Sequence, residues 1–119
     1  MLPKIRIAAL FGASGVVLGA FGAHGLKAVL SANESIEIWR TASLYHLLHA
    51  VALLWVSGLA TPPRWAFRLF ATGILIFSGS LYVLAVTNIK WLGAITPFGG
   101  LALIAGWLAL CLKGTTTVD

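Results

Sequence analysis

The sequence predicts an all-α integral membrane protein: a four-helix transmembrane bundle with both ends on the cytoplasmic side. Two observations support this prediction. Of the 119 residues, 60% are hydrophobic and only 9% are charged, and the apolar residues fall in four long runs. A soluble domain is typically about a quarter charged, and a chain this short has too little interior to hide so much apolar surface from water. A bilayer removes that conflict, because its hydrocarbon core solvates apolar side chains.

Each apolar run is close to the roughly 20 residues that an α-helix needs to cross about 30 Å of hydrocarbon. The predicted membrane helices are about 7–23, 34–60, 66–87 and 91–112, in a single domain that covers residues 1–119. None of the runs alternates in polarity with period two, so barrel strands are not expected. The first run is too long for the apolar region of a typical signal peptide, and we interpret it as a membrane helix.

Three connections join the predicted helices. Two of them, Thr61–Arg64 with its adjacent prolines and Thr87–Lys90, are short and favour antiparallel neighbours. The first connection, 24–40, is longer and leaves two alternatives open. In one, helix two begins near Asn33 or Glu34, outside the lipid. In the other, a short separate helix lies along the membrane surface.

Lysine and arginine residues lie at the ends of the apolar runs, and their distribution predicts the orientation. The two sides hold five and three of them: Lys4, Arg6, Arg64, Arg68 and Lys113 against Lys27, Arg40 and Lys90. The richer side, with both chain ends, is expected in the cytoplasm. Because these residues are not clustered on one face, we interpret them as topology signals and lipid-headgroup contacts, and nucleic acid is not an expected partner.

Glycines are the first group of candidate functional residues. With one serine, they occur at helical spacing in three predicted helices: Gly12, Gly15, Gly19 and Gly22 in the first, Gly73 with Ser80 in the third, and Gly99 and Gly106 in the fourth. Small residues let helix backbones approach closely in lipid. Their pattern predicts helix packing, either within the bundle or between copies of the chain.

Polar side chains within the apolar runs are the second group. The candidate cluster, expected in the outer half of the bundle, comprises His24, Tyr45, His46, His49, Ser78, Ser80 and Tyr82. His46 and His49 are three residues apart and therefore share a helix face. The alternatives are hydrogen bonds between helices, binding of a small molecule, ion or proton, and a metal site. No metal ion and no cofactor are predicted, because no carboxylate or cysteine clearly completes a ligand set.

Two further features bear on function. Pro97 lies within the fourth apolar run and predicts a kink or a break in that helix. The sequence has no GxSxG, HExxH, P-loop or CxxC motif, which favours a non-enzymatic protein. The leading hypothesis is therefore a bundle that acts through the lipid bilayer, a membrane-protein partner or a second copy. The alternative is a binder or transporter of a small molecule, ion or metal that uses the polar cluster.

Four motifs follow one another along the chain: Gly19–Leu26 (GAFGAHGL), Trp39–Ala50, Phe77–Tyr82 (FSGSLY) and Leu92–Gly100 (LGAITPFGG). Together they resemble the YgdD/YwdK-like family of small bacterial inner-membrane proteins, a family of unknown function. The resemblance covers nearly the whole chain and implies four membrane helices, with no established reaction, substrate or cofactor. Glutamine is common in that family where this chain has His46, which weakens any mechanism that needs both membrane histidines.

Overall fold

The computed structural model describes residues 3–113, and this part of the chain is all-helical. Four long helices are joined by connections that include one short helix and one 3₁₀ turn. The elements are α1 Lys4–Ala23, α2 Lys27–Ala32, α3 Ile36–Ser57, α4 Ala66–Thr87, the 3₁₀ turn Lys90–Ala94 and α5 Thr96–Lys113. No strand occurs within the described range, in agreement with the absence of a period-two pattern.

The four long helices pack in the order α1, α3, α4, α5, each antiparallel to the next. Side-chain hydrogen bonds join neighbouring helices: Trp39 Nε1 donates to the Leu18 carbonyl at 2.9 Å, and Ser78 Oγ donates to the Ala42 carbonyl at 2.7 Å. The helices α3 and α4 form the centre, and α1 and α5 flank them. Among the described residues, the backbones of α1 and α4 do not approach each other closely.

The turn between α2 and α3 caps the C-terminal end of α4. Asn33 Nδ2 donates to the carbonyls of Ala85 and Val86, each at 3.0 Å, and Ser35 Oγ donates to the Ala85 carbonyl at 2.7 Å. Helix ends leave carbonyl groups without intrahelical partners, and these bonds supply them. Glu34, between the two donors, has a φ of 53°. This left-handed residue reverses the chain and holds α2 against the end of the bundle.

The structure combines the two alternatives that the sequence left open for the first connection. A short separate helix is present, α2, and the long helix begins after it at Ile36, because the left-handed Glu34 interrupts the helical path. That long helix, α3, ends at Ser57, with Gly58 as its C-cap, short of the predicted residue 60. The third helix, α4, has the predicted bounds, 66–87.

Pro97 does not kink a continuous helix. The predicted fourth helix, 91–112, is divided into the 3₁₀ turn Lys90–Ala94 and α5, which begins at Thr96. Pro97 therefore lies in the first turn of α5. Proline is well tolerated there, because the N–H that it lacks would have no intrahelical partner. Of the two alternatives, the structure has a break: a new helix starts beside Pro97, and no kink bends a continuous one.

The seven candidate glycines differ in their surroundings. An added Cβ would meet a neighbouring helix at five positions, Gly15, Gly22, Gly73, Gly99 and Gly106, and would meet nothing within 4 Å at Gly12 and Gly19. At Gly22 the absent side chain makes room for the Trp39 indole, and at Gly99 it makes room for the Phe77 backbone. The glycine stripe on α1 is thus split between positions that face α3 and positions that are open.

Two apolar clusters fill the interior, one towards each end of the bundle. The cluster near Lys4 includes Leu53, Phe70 and Leu103, and the opposite one includes Leu30 and Trp39. Between them, at the middle of α3 and α4, lie buried polar side chains: His46, His49 and Ser78. The core is therefore layered, with polar groups in its central layer.

Within residues 3–113, three segments are long and apolar enough to cross a membrane: Lys4–Ala23, Ala66–Thr87 and Lys90–Lys113. Helix α3 is not among them, since its charged and imidazole side chains lower its mean hydropathy. It is nevertheless as long as α4, with 22 residues each. Residues 3–113 are thus all-helical, with three apolar helices of which α1 and α4 pack on α3 and α5 packs on α4.

Candidate functional site

His46 is the centre of a hydrogen-bonded group that joins three helices. Its Nδ1 lies 2.9 Å from the Tyr82 hydroxyl on α4. Its Nε2 lies 2.8 Å from the Phe11 carbonyl and 3.2 Å from Ser14 Oγ, both on α1. Ser43 Oγ, one turn earlier on α3, is 3.4 Å from the Tyr82 hydroxyl. The side chain of His46 therefore connects α1 and α4, whose backbones stand apart.

The partners of His46 determine its tautomer. A carbonyl oxygen only accepts hydrogen bonds, so the 2.8 Å contact with Phe11 requires a proton on Nε2. In the neutral ring Nδ1 is then an acceptor, and the Tyr82 hydroxyl donates to it. Both ring nitrogens are occupied by protein groups.

His49 is bonded in the opposite tautomer and faces another helix. Its Nδ1 lies 2.8 Å from the Tyr45 carbonyl, one turn back on α3, and therefore carries the proton. Its Nε2 accepts a hydrogen bond from Trp107 Nε1 on α5 at 3.0 Å. Although His46 and His49 are three residues apart, one connects α3 to α1 and α4, and the other connects α3 to α5.

The remaining residues of the predicted cluster are distributed over separate contacts. Ser78 bonds to α3 through the Ala42 carbonyl, whereas Ser80 Oγ lies 2.6 Å from Thr96 Oγ1 at the start of α5. The Tyr45 ring is partly exposed and packs on Phe77, with 4.7 Å between ring centroids. In the described part of the chain, no buried side-chain nitrogen or oxygen lacks a partner. Of the seven predicted residues, His46, Ser78 and Tyr82 line one cavity, and the other four are not among the residues that line it.

His24 lies apart from the other two histidines. It is the exposed C-cap residue of α1, about ten residues and therefore roughly 15 Å along the helix from the Ser14 contact of His46. Within residues 3–113, no three His, Cys, Asp or Glu side chains lie close enough together to hold a metal ion.

A basic pocket opens at the end of the bundle where α2 packs. Its volume is about 330 Å³, and its lining includes Gly19, Lys27, Leu30, Ile36, Trp39 and Arg40. The two cations are 13 positions apart in the sequence, and the turn after α2 brings them to one cavity. Arg40 also pairs with Glu37 at 2.7 Å, but both side chains are mostly exposed, and such surface pairs are weak.

The sequence indicated Lys27 and Arg40 as topology signals and lipid-headgroup contacts, but it did not predict that they line one cavity. No motif in the sequence marked this arrangement, and the structure alone shows Leu30 fully buried on the same short helix as the exposed Lys27. Gly19 also has a different place from the expected one. Its open Cα faces this pocket rather than a packed helix.

A second, lateral cavity lies between α1 and α4, where their backbones stand apart. Its volume is about 230 Å³, and its lining includes Phe11, Ser14, His46, Leu75, Gly79 and Tyr82. The walls are mostly apolar, and the floor is the hydrogen-bonded group around His46. Leu75 at its mouth is exposed, so the cavity opens sideways from the bundle.

Comparison with models of known protein families assigns the chain to one of them. A family model described as a protein of unknown function, DUF423, matches residues 18–100. The chain belongs to the DUF423 family. All six residues named above for the basic pocket fall within that matched range, whereas Phe11 and Ser14 of the lateral cavity precede it.

Relatives of this DUF423 protein are bacterial membrane proteins. A UPF0382 membrane protein of Staphylococcus haemolyticus is 43% identical over 113 residues, which cover 92% of each chain. The UPF0382 membrane protein YwdK of Bacillus subtilis is 44% identical over 102 residues, covering 80% of this chain and 81% of its own. No solved structure matches the chain. The family resemblance predicted from the motifs is confirmed, and the chain is an integral membrane protein of a family without an assigned activity.

Proposed function

We propose that this protein is a non-enzymatic four-helix bundle of the bacterial inner membrane, with both ends in the cytoplasm, that binds an anionic phospholipid in its basic pocket. The observation that carries the proposal is the convergence of Lys27 and Arg40 on one cavity with an apolar wall. The bonding of the membrane histidines to protein groups favours a structural role for them over a catalytic one.

The outward face of α3 supports a fourth membrane crossing. From Leu44 onwards its exposed residues are aliphatic or aromatic, namely Leu44, Tyr45, Leu48, Val51, Leu54 and Trp55. Its polar residues His46 and His49 are buried. A helix with polar groups inside and apolar groups outside is suited to a lipid environment and poorly suited to water.

The distribution of Lys and Arg supports the orientation, since the Lys4 end of the bundle carries five of them and the α2 end carries three. We expect green fluorescent protein fused after residue 119 to fluoresce and alkaline phosphatase fused there to be inactive. Gly58, after α3, is expected on the same cytoplasmic side. A reporter joined to Gly58 through an added transmembrane helix should therefore lie outside the cytoplasm, where alkaline phosphatase is active and green fluorescent protein does not fluoresce. An active phosphatase at residue 119 would contradict the orientation and would move the basic pocket to the cytoplasmic leaflet.

The chemistry of the basic pocket fits the phosphate and upper acyl chains of a lipid. Lys27 and Arg40 supply hydrogen-bond donors with positive charge, and the guanidinium keeps free N–H groups beside its contact with Glu37. Leu30 and Ile36 supply apolar wall. A soluble anion would contact only the two cations, whereas a phospholipid would contact the cations with its phosphate and the apolar wall with its acyl chains. Basic residues near a membrane surface contribute about 1 kcal/mol each to the attraction of anionic lipid.

The lipid preference provides a direct test. In nanodiscs of equal parts phosphatidylglycerol and phosphatidylcholine, native mass spectrometry should show phosphatidylglycerol retained on the protein. The double variant Lys27→Gln/Arg40→Gln should lower the ratio of bound phosphatidylglycerol to phosphatidylcholine by roughly thirtyfold, because two contributions of about 1 kcal/mol are lost. Lys90→Gln removes a cation at the same end of the bundle but outside the pocket and should have little effect.

A second pair of variants tests the pocket without changing charge. Gly19→Leu should fill the cavity from α1 and reduce retained lipid, while Gly12→Leu, at an equally open position outside the pocket, should not. The proposed site would be wrong if Lys90→Gln reduced the retained phosphatidylglycerol as much as Lys27→Gln/Arg40→Gln or Gly19→Leu does. It would also be wrong if Gly19→Leu left the retained lipid unchanged. Overall charge would then explain the preference.

A further inference from the structure

We propose that the lateral cavity is a second, independent binding site, which takes a small lipophilic alcohol or phenol whose hydroxyl donates a hydrogen bond to the cavity floor. The cavity lies between α1 and α4, on the middle part of α3, and is distinct from the basic pocket in position and in charge. Its occupant would enter from the bilayer past the exposed Leu75.

The polar groups of the floor define the kind of ligand. Ser14 Oγ donates its proton to the Phe11 carbonyl at 3.0 Å, and Ser78 Oγ donates to the Ala42 carbonyl. The Tyr82 hydroxyl donates to Nδ1 of His46 in the tautomer described above. Each of these hydroxyl protons is therefore already used within the protein. What remains on the three oxygens is lone pairs, which accept hydrogen bonds.

A ligand that only accepts hydrogen bonds, such as an ether or a ketone, would meet no free proton at this floor. A ligand that donates one would satisfy an acceptor without breaking any protein hydrogen bond. The occupant is therefore expected to carry a hydroxyl group on an apolar body.

Size and charge restrict the ligand further. An apolar protein cavity of about 150 Å³ holds benzene, so the lateral cavity, at about 230 Å³, has room for one ring with small substituents. None of the residues that line it carries a charge when the His46 ring is neutral. An ionised ligand would lose its hydration there without a counter-charge, which excludes carboxylates and ammonium groups.

Gly79 provides a way to close the cavity. It lines the cavity, and a Cβ added there would have no atom within 4 Å. Gly79→Leu should therefore fill the space with little strain. Gly12→Leu is the matched control, since Gly12 is equally open but lies outside the cavity.

The test uses a pair of probes that differ by one hydroxyl, 4-fluorophenol and fluorobenzene. Each is titrated into nanodiscs that contain the full chain, and binding is followed by ¹⁹F NMR with protein-free nanodiscs as the partition reference. We expect a protein-bound signal for 4-fluorophenol that Gly79→Leu abolishes and Gly12→Leu retains. Fluorobenzene should bind roughly fivefold more weakly after correction for partition, the effect of one hydrogen bond.

Equal binding of the two probes would overturn the proposed hydrogen bond. Binding that survives Gly79→Leu, or no protein-bound signal for either probe, would overturn the site and leave the cavity to lipid acyl chains. If Gly79→Leu fails to fold, Gly79→Ala occupies part of the same space and should weaken 4-fluorophenol without affecting the control.

Discussion

Replacing Gly99 by Ala should leave the protein roughly 1–3 kcal/mol less stable to unfolding than the same replacement at Gly100, the usual cost of overpacking a tight interface. The added Cβ would lie 2.7 Å from Cα of Phe77 and closer still to its backbone N. Because backbone atoms, unlike the end of a flexible side chain, cannot move aside, α5 would have to shift away from α4. The measurement is reversible unfolding in mixed micelles, followed by far-ultraviolet circular dichroism.

Gly100→Ala is the matched control for this prediction. It lies on the next residue of α5, and its Cβ would be 3.6 Å from a side-chain carbon of Phe77, an ordinary contact. Both substitutions gain the same helix propensity, about 1 kcal/mol in favour of alanine, so their difference isolates the clash. Equal stabilities of the two variants would show that α4 and α5 do not approach as closely at Gly99 as the structure has them.

Replacing His46 by Leu should cost roughly 1–3 kcal/mol of stability, because it leaves buried polar groups without a partner. The Tyr82 hydroxyl loses its acceptor at Nδ1, and the Phe11 carbonyl loses one of its donors. The link between α1 and α4 through α3 is lost at the same time. Unfolding in micelles again provides the measurement, with His24→Leu as the control, since His24 is exposed at the end of α1. That control should remain within about 0.5 kcal/mol of the parent.

A double variant separates hydrogen bonding from shape. In His46→Leu/Tyr82→Phe both partners are apolar, so part of the loss should be recovered relative to the sum of the single variants. Strictly additive effects, or a His46→Leu variant as stable as His24→Leu, would contradict the assigned hydrogen bond between the two rings.

The individual helices show which helix bounds the local sequence pattern predicts and which it does not. The third apolar run has the predicted bounds of α4 because its hydropathy is uniform and its ends are marked by a double proline and by Asn88. The predicted helix bounds around Pro97 were less accurate, since the apolar run continues from Trp91 to Leu112. The helix nevertheless begins anew at Thr96. Apolar residues occur in both helical and 3₁₀ backbone, so periodicity alone does not locate this break.

The histidines show where spacing fails as a guide to contacts. Residues three apart share a helix face, but α3 is central and has neighbours on more than one side. At 3.6 residues per turn, side chains three residues apart still point about 60° away from each other. That angle is enough to direct His46 to α1 and α4, and His49 to α5. The spacing of the two histidines does not show which helices lie beside α3. It therefore could not show whether the two imidazole rings share one site.

By itself, the sequence determined that this is a helical membrane protein, which family it belongs to, and which side chains are polar within the apolar runs. These properties follow from composition and one-dimensional order, because lipid selects long apolar segments whose backbone bonds are all internal. Only the tertiary structure decided that Lys27 and Arg40 share a pocket, that Gly12 and Gly19 are open, and that α1 and α4 leave a cavity between them. Those features depend on how separate helices pack, and packing is set by contacts between residues distant in the chain.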